Sequence, residues 1–432
     1  MEITFVFFIV LLLLGMPVAF AIGISGFIFI LGTGGSIPIP ITVQKALATT
    51  QSFTMLAIPL FIFAGNLMNN TGITTRIMRL SNVITGHMWG NIAQVSVVMS
   101  TLMGGVSGSA TADAAMESRI LGPEMLRRGY TRGWSAAING LSALIVATIP
   151  PSMGLIIYGS VGEVSIGRLF AAGFIPGFMM MVGLMIAVSV SARRRGYKPA
   201  QEKMAPLGEI FRECVNSIWA LLFPVLLIVF IRYGIMTPSE SGAFASFYAI
   251  FVGAFIYREL DLESLKKTLI DSVKDICAIT LILAFSGIFG HGVVYDSLPQ
   301  KIAVALMDVT TNPSLMFLII ILLLIAFGMF METTVIALLL TPILLPVVKQ
   351  VGIDPVHFGI VMMTVVTMGV MTPPVGVALY TTSMIMECTP EETAKESVPF
   401  FVAILSVVTL LVLFPWLSLC VPNWIFGESV VL

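Results

Sequence analysis

The segment from Gly104 to Pro176 returns further along the chain, without a gap, at a constant shift of 223 residues. Gly105 recurs as Gly328, Thr111 as Thr334, Pro123 as Pro346, Gly129 as Gly352, Pro150-Pro151 as Pro373-Pro374 and Pro176 as Pro399. What matches is glycine and proline, the residues that punctuate backbone, while the apolar filler between them has diverged. Each copy reads as an apolar limb, a small polar tip (Gly104 to Thr111, or Gly328 to Thr334), a second limb ending near a proline, and a long apolar segment broken at Pro-Pro. Two halves on one plan, each interrupting its own helices, restrict the chain to a small set of architectures.

Composition says where those interruptions lie. Of the 432 residues 57% are hydrophobic and 10% charged, and the mean hydropathy is +1.02, far too apolar for a soluble core of this size. The expectation is an all-α polytopic membrane protein. The net charge of −1 gives no reason to invoke nucleic acid. Cys214, Cys277, Cys388 and Cys420 are isolated, and His87, His291 and His357 are scattered, so neither a disulfide framework, a metal motif nor a nucleophile-histidine pattern is present and the sequence argues against an enzyme. Residues 3 to 31 are apolar for too long to be a signal-peptide core and are read as a retained first span.

Taken in order, residues 1–70 supply N-terminal scaffold spans, 92–192 the first repeat, 214–274 further scaffold spans with a polar interfacial arm from Arg258 to Lys274, and 275–421 the second repeat with its lead span and final span. Only about 15 apolar residues precede the first tip, short of the roughly 20 needed to cross, so residues 92 to 125 are expected to form a re-entrant helical hairpin. The second hairpin has limbs 314–329 and 334–348, and the broken spans run over 134–159 and 356–386. The tally is nine spans and two hairpins.

Charge placement orients this threading. On one side lie Arg76, Arg79, Arg127, Arg128, Arg132, Arg193 to Arg195, Lys198, Lys203, Arg212, Arg258, Lys266, Lys267, Lys274 and Lys395, which is 16 of the 22 basic residues. The opposite loops hold Lys45, Arg168, Arg232, Lys301 and Lys349, and Arg119 falls within the first hairpin. By the positive-inside rule the N-terminus is cytoplasmic, the C-terminus is outside and the two hairpins enter from opposite sides, so the repeats are inverted.

Inverted repeats with broken helices place transport sites at mid-membrane, where unwound carbonyls suit a cation and half-helix N-termini attract an anion. Carbonyls near Gly105, Gly328, Pro150 and Pro373, with oxygens from Ser107, Ser109, Thr148, Thr333, Thr334 and Thr372, suit Na+. Asp113 lies just past the first tip, with Glu117 four residues on; intramembrane carboxylates are costly and functional by default, although a helix-capping role for Asp113 stays open. Glu332 at the second tip is read in the same way, with a solvated vestibule position as its rival. A channel would favour polar stripes on unbroken helices, and a membrane hydrolase a nucleophile with histidine or paired carboxylates; neither pattern is present.

At Ala112-Asp113-Ala114-Ala115, Gly122-Pro123-Glu124-Met125, Thr148-Ile149-Pro150-Pro151-Ser152 and Met371-Thr372-Pro373-Pro374-Val375-Gly376 the sequence resembles the large membrane subunit of TRAP (tripartite ATP-independent periplasmic) transporters, essentially end to end. The resemblance implies sodium-coupled uptake of an organic acid across the bacterial inner membrane by an elevator mechanism. It also implies two partners, a separate four-span small membrane subunit and a periplasmic substrate-binding protein. An ion-coupled organic anion transporter working without a binding protein is the alternative. Family substrates include C4-dicarboxylates, sialic acid and small sulfonates. On the family pattern Ser109 and Asp113 stand beside the substrate and ion cavity, whereas the second tip, Met331-Glu332-Thr333-Thr334, lacks the Gly-Ser richness of the first.

Overall fold

The computed structural model describes residues 2–33, 38–51, 53–104, 108–310 and 313–427, and among these the chain is helical with no strand. Gly105 and Ser107 lie outside the described residues. Five helices are long and apolar enough to cross a membrane, and Leu207–Asn216 with Ile218–Arg232, bent by 63°, form a sixth candidate.

The recurrence seen in the sequence sets helix ends. Helix Ala110–Arg127 and helix Thr333–Gln350 begin and end at positions 223 apart. So do the starts of Arg132–Ser142 and Pro355–Gly369 and the ends of Met153–Gly162 and Val377–Ile385. Both second limbs run through their prolines, Pro123 and Pro346, rather than stopping near them. One missing N–H in the first 18-residue helix, and two in the second, which also contains Pro342, are local losses that the surrounding backbone bonds absorb.

The two halves also pack crosswise. Helix Ala110–Arg127 lies against Val377–Ile385, the half-helix that follows the second break, and Thr333–Gln350 lies against Met153–Gly162, which follows the first. Close approach is bought with small residues: a Cβ built on Gly369 would meet Gly328 Cα at 2.5 Å, so here two backbones touch. Trp134, wholly buried, packs edge-on against Tyr197 and Phe400 and donates its Nε1–H to Ser191 Oγ at 2.9 Å, fastening helix Arg132–Ser142 to helices Phe174–Arg195 and Pro390–Leu413.

Three expectations are corrected. The first span is two helices, Glu2–Leu13 and Val18–Gly32, because Pro17 lacks an N–H and disfavours helix at the residue before it. The polar arm and the lead span of the second repeat are one 34-residue helix, Leu262–Tyr295. Asp261 caps that helix by accepting from Ser264 N at 2.8 Å, and these contacts to Ser264 hold its carboxyl below the usual range. The final span divides into Pro390–Leu413 and Trp416–Phe426, with Pro415 at the junction.

Candidate transport site

Each tip is stitched to its own break, and the donors on the break side occupy matching positions. Met153 N donates to Gly108 O at 3.3 Å in the first repeat, and Gly376 N to Met329 O at 2.9 Å in the second; Met153 and Gly376 are 223 residues apart. Gly108 has φ of +67°, and a Cβ there would meet the Pro151 carbonyl oxygen at 2.7 Å, so only glycine can hold this approach. Both Pro-Pro bonds are cis.

Between the tips lies a cavity of about 260 Å³. The first tip contributes Ser109 to Ala112, the second Glu332 to Thr334, and the breaks Ala147, Met153, Gly154 and Val370. The remaining wall comes from outside the repeated tips: Ile62, Asn66 and Asn69 on helix Ala57–Asn70, and Asp275, Ala278 and Ile279 on helix Leu262–Tyr295. Ser109 and Glu332 both have extended backbone immediately before a helix, so two helix N-termini, each a partial positive charge, converge on the space.

Polar contacts close the walls. Thr111 Oγ1 donates to Glu332 Oε1 at 3.1 Å, and Asn66 Nδ2 donates to Asp275 Oδ2 at 3.0 Å and to Ser272 Oγ at 3.1 Å. Asn69 Oδ1 is buried and accepts no hydrogen bond among the described residues, which leaves it available to a ligand. Among the described residues no lysine or arginine lines the cavity, whereas two carboxylates do.

The expected site residues divide into those that meet here and those that do not. Ser109, Glu332, Thr333 and Thr334 share the cavity. Asp113 is fully buried one helical turn behind Ser109, and its N–H donates to Ser109 O at 3.1 Å; the cap position belongs to Ser109, so Asp113 is inside the helix rather than its cap. Thr148 is buried with its hydroxyl 3.4 Å from Thr364 Oγ1, and Thr372 spends its hydroxyl on Met368 O at 3.0 Å. Pro150 is buried, Pro373 is exposed, and Gly328 serves the contact with Gly369. Sequence reasoning did not identify Thr111, Asn66, Asn69 or Asp275. The asparagines carried a signal, as amides at i and i+3 in an otherwise apolar helix.

The chain is 35% identical over 417 residues to the sialic acid TRAP transporter large permease protein SiaM of Vibrio cholerae, covering 96% of this chain and 97% of that protein. It is 33% identical over 410 residues to the isethionate TRAP transporter permease protein DctMQ of Oleidesulfovibrio alaskensis, covering 95% of this chain and 64% of that longer protein. The fold is similar to the crystal structure of the Alcanivorax borkumensis YdaH transporter, with a TM-score of 0.62 over 87% of this chain and 88% of that one at 11% identity. The family profile described as "Tripartite ATP-independent periplasmic transporter, DctM component" matches residues 5–417, and the chain belongs to that family of multi-pass membrane permeases.

Proposed function

We propose that this chain is the large permease of a three-part system that takes up an organic acid across the bacterial inner membrane, coupled to Na+, with the acid delivered by a periplasmic binding protein. The observation that carries the proposal is the cavity itself. Two helix N-termini offer an anion partial positive charge, yet Asp275 and Glu332 line the same space and, among the described residues, no basic side chain does. An organic anion entering alone would face net negative charge, so a co-bound cation is what makes its binding favourable. Ser109, Thr333, Thr334, Glu332 and Asn69 supply hard oxygen donors for Na+, and Asp113, one turn behind, adds negative charge to the same end of its helix.

The 223-residue recurrence of helix ends and the crosswise packing support two inverted repeats with re-entrant hairpins, working as an elevator against helices Ala57–Asn70 and Leu262–Tyr295. The 16-to-5 division of basic residues supports a cytoplasmic N-terminus and a periplasmic C-terminus. A small membrane subunit is supported by membership of the family and by the longer isethionate relative, a permease protein named DctMQ.

The test is uptake into liposomes that hold this chain and its small subunit, with a binding protein and a panel of acids that includes sialic acid, isethionate and a C4-dicarboxylate. Accumulation should require an inward Na+ gradient and the binding protein. Uptake that runs equally well with K+ replacing Na+ would remove the coupling ion from the proposal.

A further inference from the structure

Glu117 is fully buried on helix Ala110–Arg127 and takes part in no ion pair among the described residues. Three serines from two neighbouring helices surround it. Ser100 Oγ is 2.6 Å from Oε1 and Ser96 Oγ is 2.5 Å from Oε2, both from helix Asn91–Met103. Ser142 of helix Arg132–Ser142 completes the group: its Oγ is 2.7 Å from Ser96 Oγ and 2.7 Å from Ile138 O.

These are four oxygen-oxygen contacts of 2.5 to 2.7 Å, and each needs a proton between its atoms, since two bare oxygens at that separation repel. A serine hydroxyl owns one proton, and the Ile138 carbonyl owns none. Three serines therefore fill three contacts and leave one empty. If Ser142 donates to Ile138 O and Ser100 to Oε1, Ser96 can serve either Glu117 or Ser142, never both. The count closes when Oε2 carries the fourth proton, giving a single directed chain in which Oε2–H donates to Ser96, Ser96 to Ser142 and Ser142 to Ile138 O. Ser142 Oγ also approaches Oε2 at 3.1 Å and Asn139 O at 3.3 Å, separations that demand no further proton.

A second, independent observation comes from the other half of the chain. At the positions 223 residues on, the second repeat has Ile319, Leu323, Leu340 and Val365 in place of Ser96, Ser100, Glu117 and Ser142. Leu340 and Val365 are buried there, whereas Ile319 is half-buried and Leu323 is exposed, so Glu117 and Ser142 are polar groups buried where the other half buries apolar ones, a cost borne for some other use. We infer that Glu117 with Ser96, Ser100 and Ser142 is a proton-binding site of the first repeat that holds its proton at neutral pH.

The charged and titratable groups near it are few. On its own helix Asp113 lies one turn toward the tip, with Arg119, Glu124 and Arg127 in the other direction. Among the elements packed on that helix, Asn91–Met103 contributes none, Arg132–Ala147 only Arg132 at its first residue, and Val377–Ile385 only Tyr380. The proton keeps a second negative charge from standing one turn behind Asp113. This site stands apart from the coupling ion proposed above, and the experiment reads it without transport.

The test is infrared difference spectroscopy of the purified chain at neutral pH. We expect a C=O band of a neutral carboxylic acid that shifts in D2O, is absent from E117Q, persists in D113N, and moves in S96A, where the acceptor of its proton is gone. An E117Q spectrum that keeps the band, or no such band in the parent, would overturn the inference. Should E117Q fail to fold, S96A and S142A decide: a parent band unmoved in both does not belong to Glu117.

Discussion

The Thr111 hydroxyl donates to Glu332 Oε1 at 3.1 Å, joining two residues 221 positions apart across the cavity. Thr111 is in the first turn of one tip helix and Glu332 immediately precedes the other, so this bond fixes the distance between the two N-termini that face the proposed substrate. Replacing Thr111 with Val keeps the shape and removes the donor. A single polar contact is worth about 1 kcal/mol net. Uptake by T111V should therefore show a several-fold weaker apparent affinity for Na+ or acid with expression unchanged, and wild-type titration curves would strip the tip-to-tip contact of any part in binding.

Asp113 has a different weight, because it is buried and charged in the proposed cycle. A hydrogen bond to a charged group contributes about 1.5–3 kcal/mol. D113N keeps the size and should reach the membrane normally while Na+ half-saturation rises by about tenfold or more. Since Ser109 holds the cap position, little folding stability should be lost, and a large fall in melting temperature in detergent would show that Asp113 is structural instead.

Gly369 tests the close packing of the second repeat. An added methyl would lie 2.5 Å from Gly328 Cα, and backbone cannot step aside as a side-chain end can. Overpacking of this kind costs typically about 1–3 kcal/mol. G369A should melt several degrees below the parent, whereas alanine at Gly352, whose Cβ would meet nothing within 4 Å, tests only the strain of its positive φ and should fall less.

Orientation can be read by labelling. With the four native cysteines replaced, a cysteine at Lys198 should react with a membrane-impermeant thiol reagent only from the cytoplasm, and one at Lys349 only from the periplasm. Both side chains are exposed. Labelling of both from one face would end the inverted threading.

Glycine and proline made the plan legible, because they act on the backbone directly and at fixed positions. The ends of Ala110–Arg127 and Thr333–Gln350, the tips and the two breaks all follow from them. Side-chain direction was not legible. Thr148 and Thr372 sit beside their breaks in the sequence, yet the helical turn aims one hydroxyl at Thr364 and returns the other to Met368 O. Asn66 and Asp275 reach the cavity from helices whose position depends on tertiary packing, which no local pattern records. The serines around Glu117 are likewise brought together by three helices, and only the pair Ser96 and Ser100, at i and i+4, hinted at a shared face.

Helix Leu262–Tyr295 carries one more consequence. At 1.5 Å per residue its 34 residues extend about 51 Å, well beyond the roughly 30 Å of hydrocarbon in a bilayer. Its charged first turns and Asp275 are therefore points on one stiff rod, with the anchoring depth at one end setting the height of a carboxylate in the cavity wall. Lipid thickness and the electrostatics of the cavity are mechanically linked through that rod, and a membrane thinned or thickened by a few ångströms is a way of moving Asp275 without mutating anything.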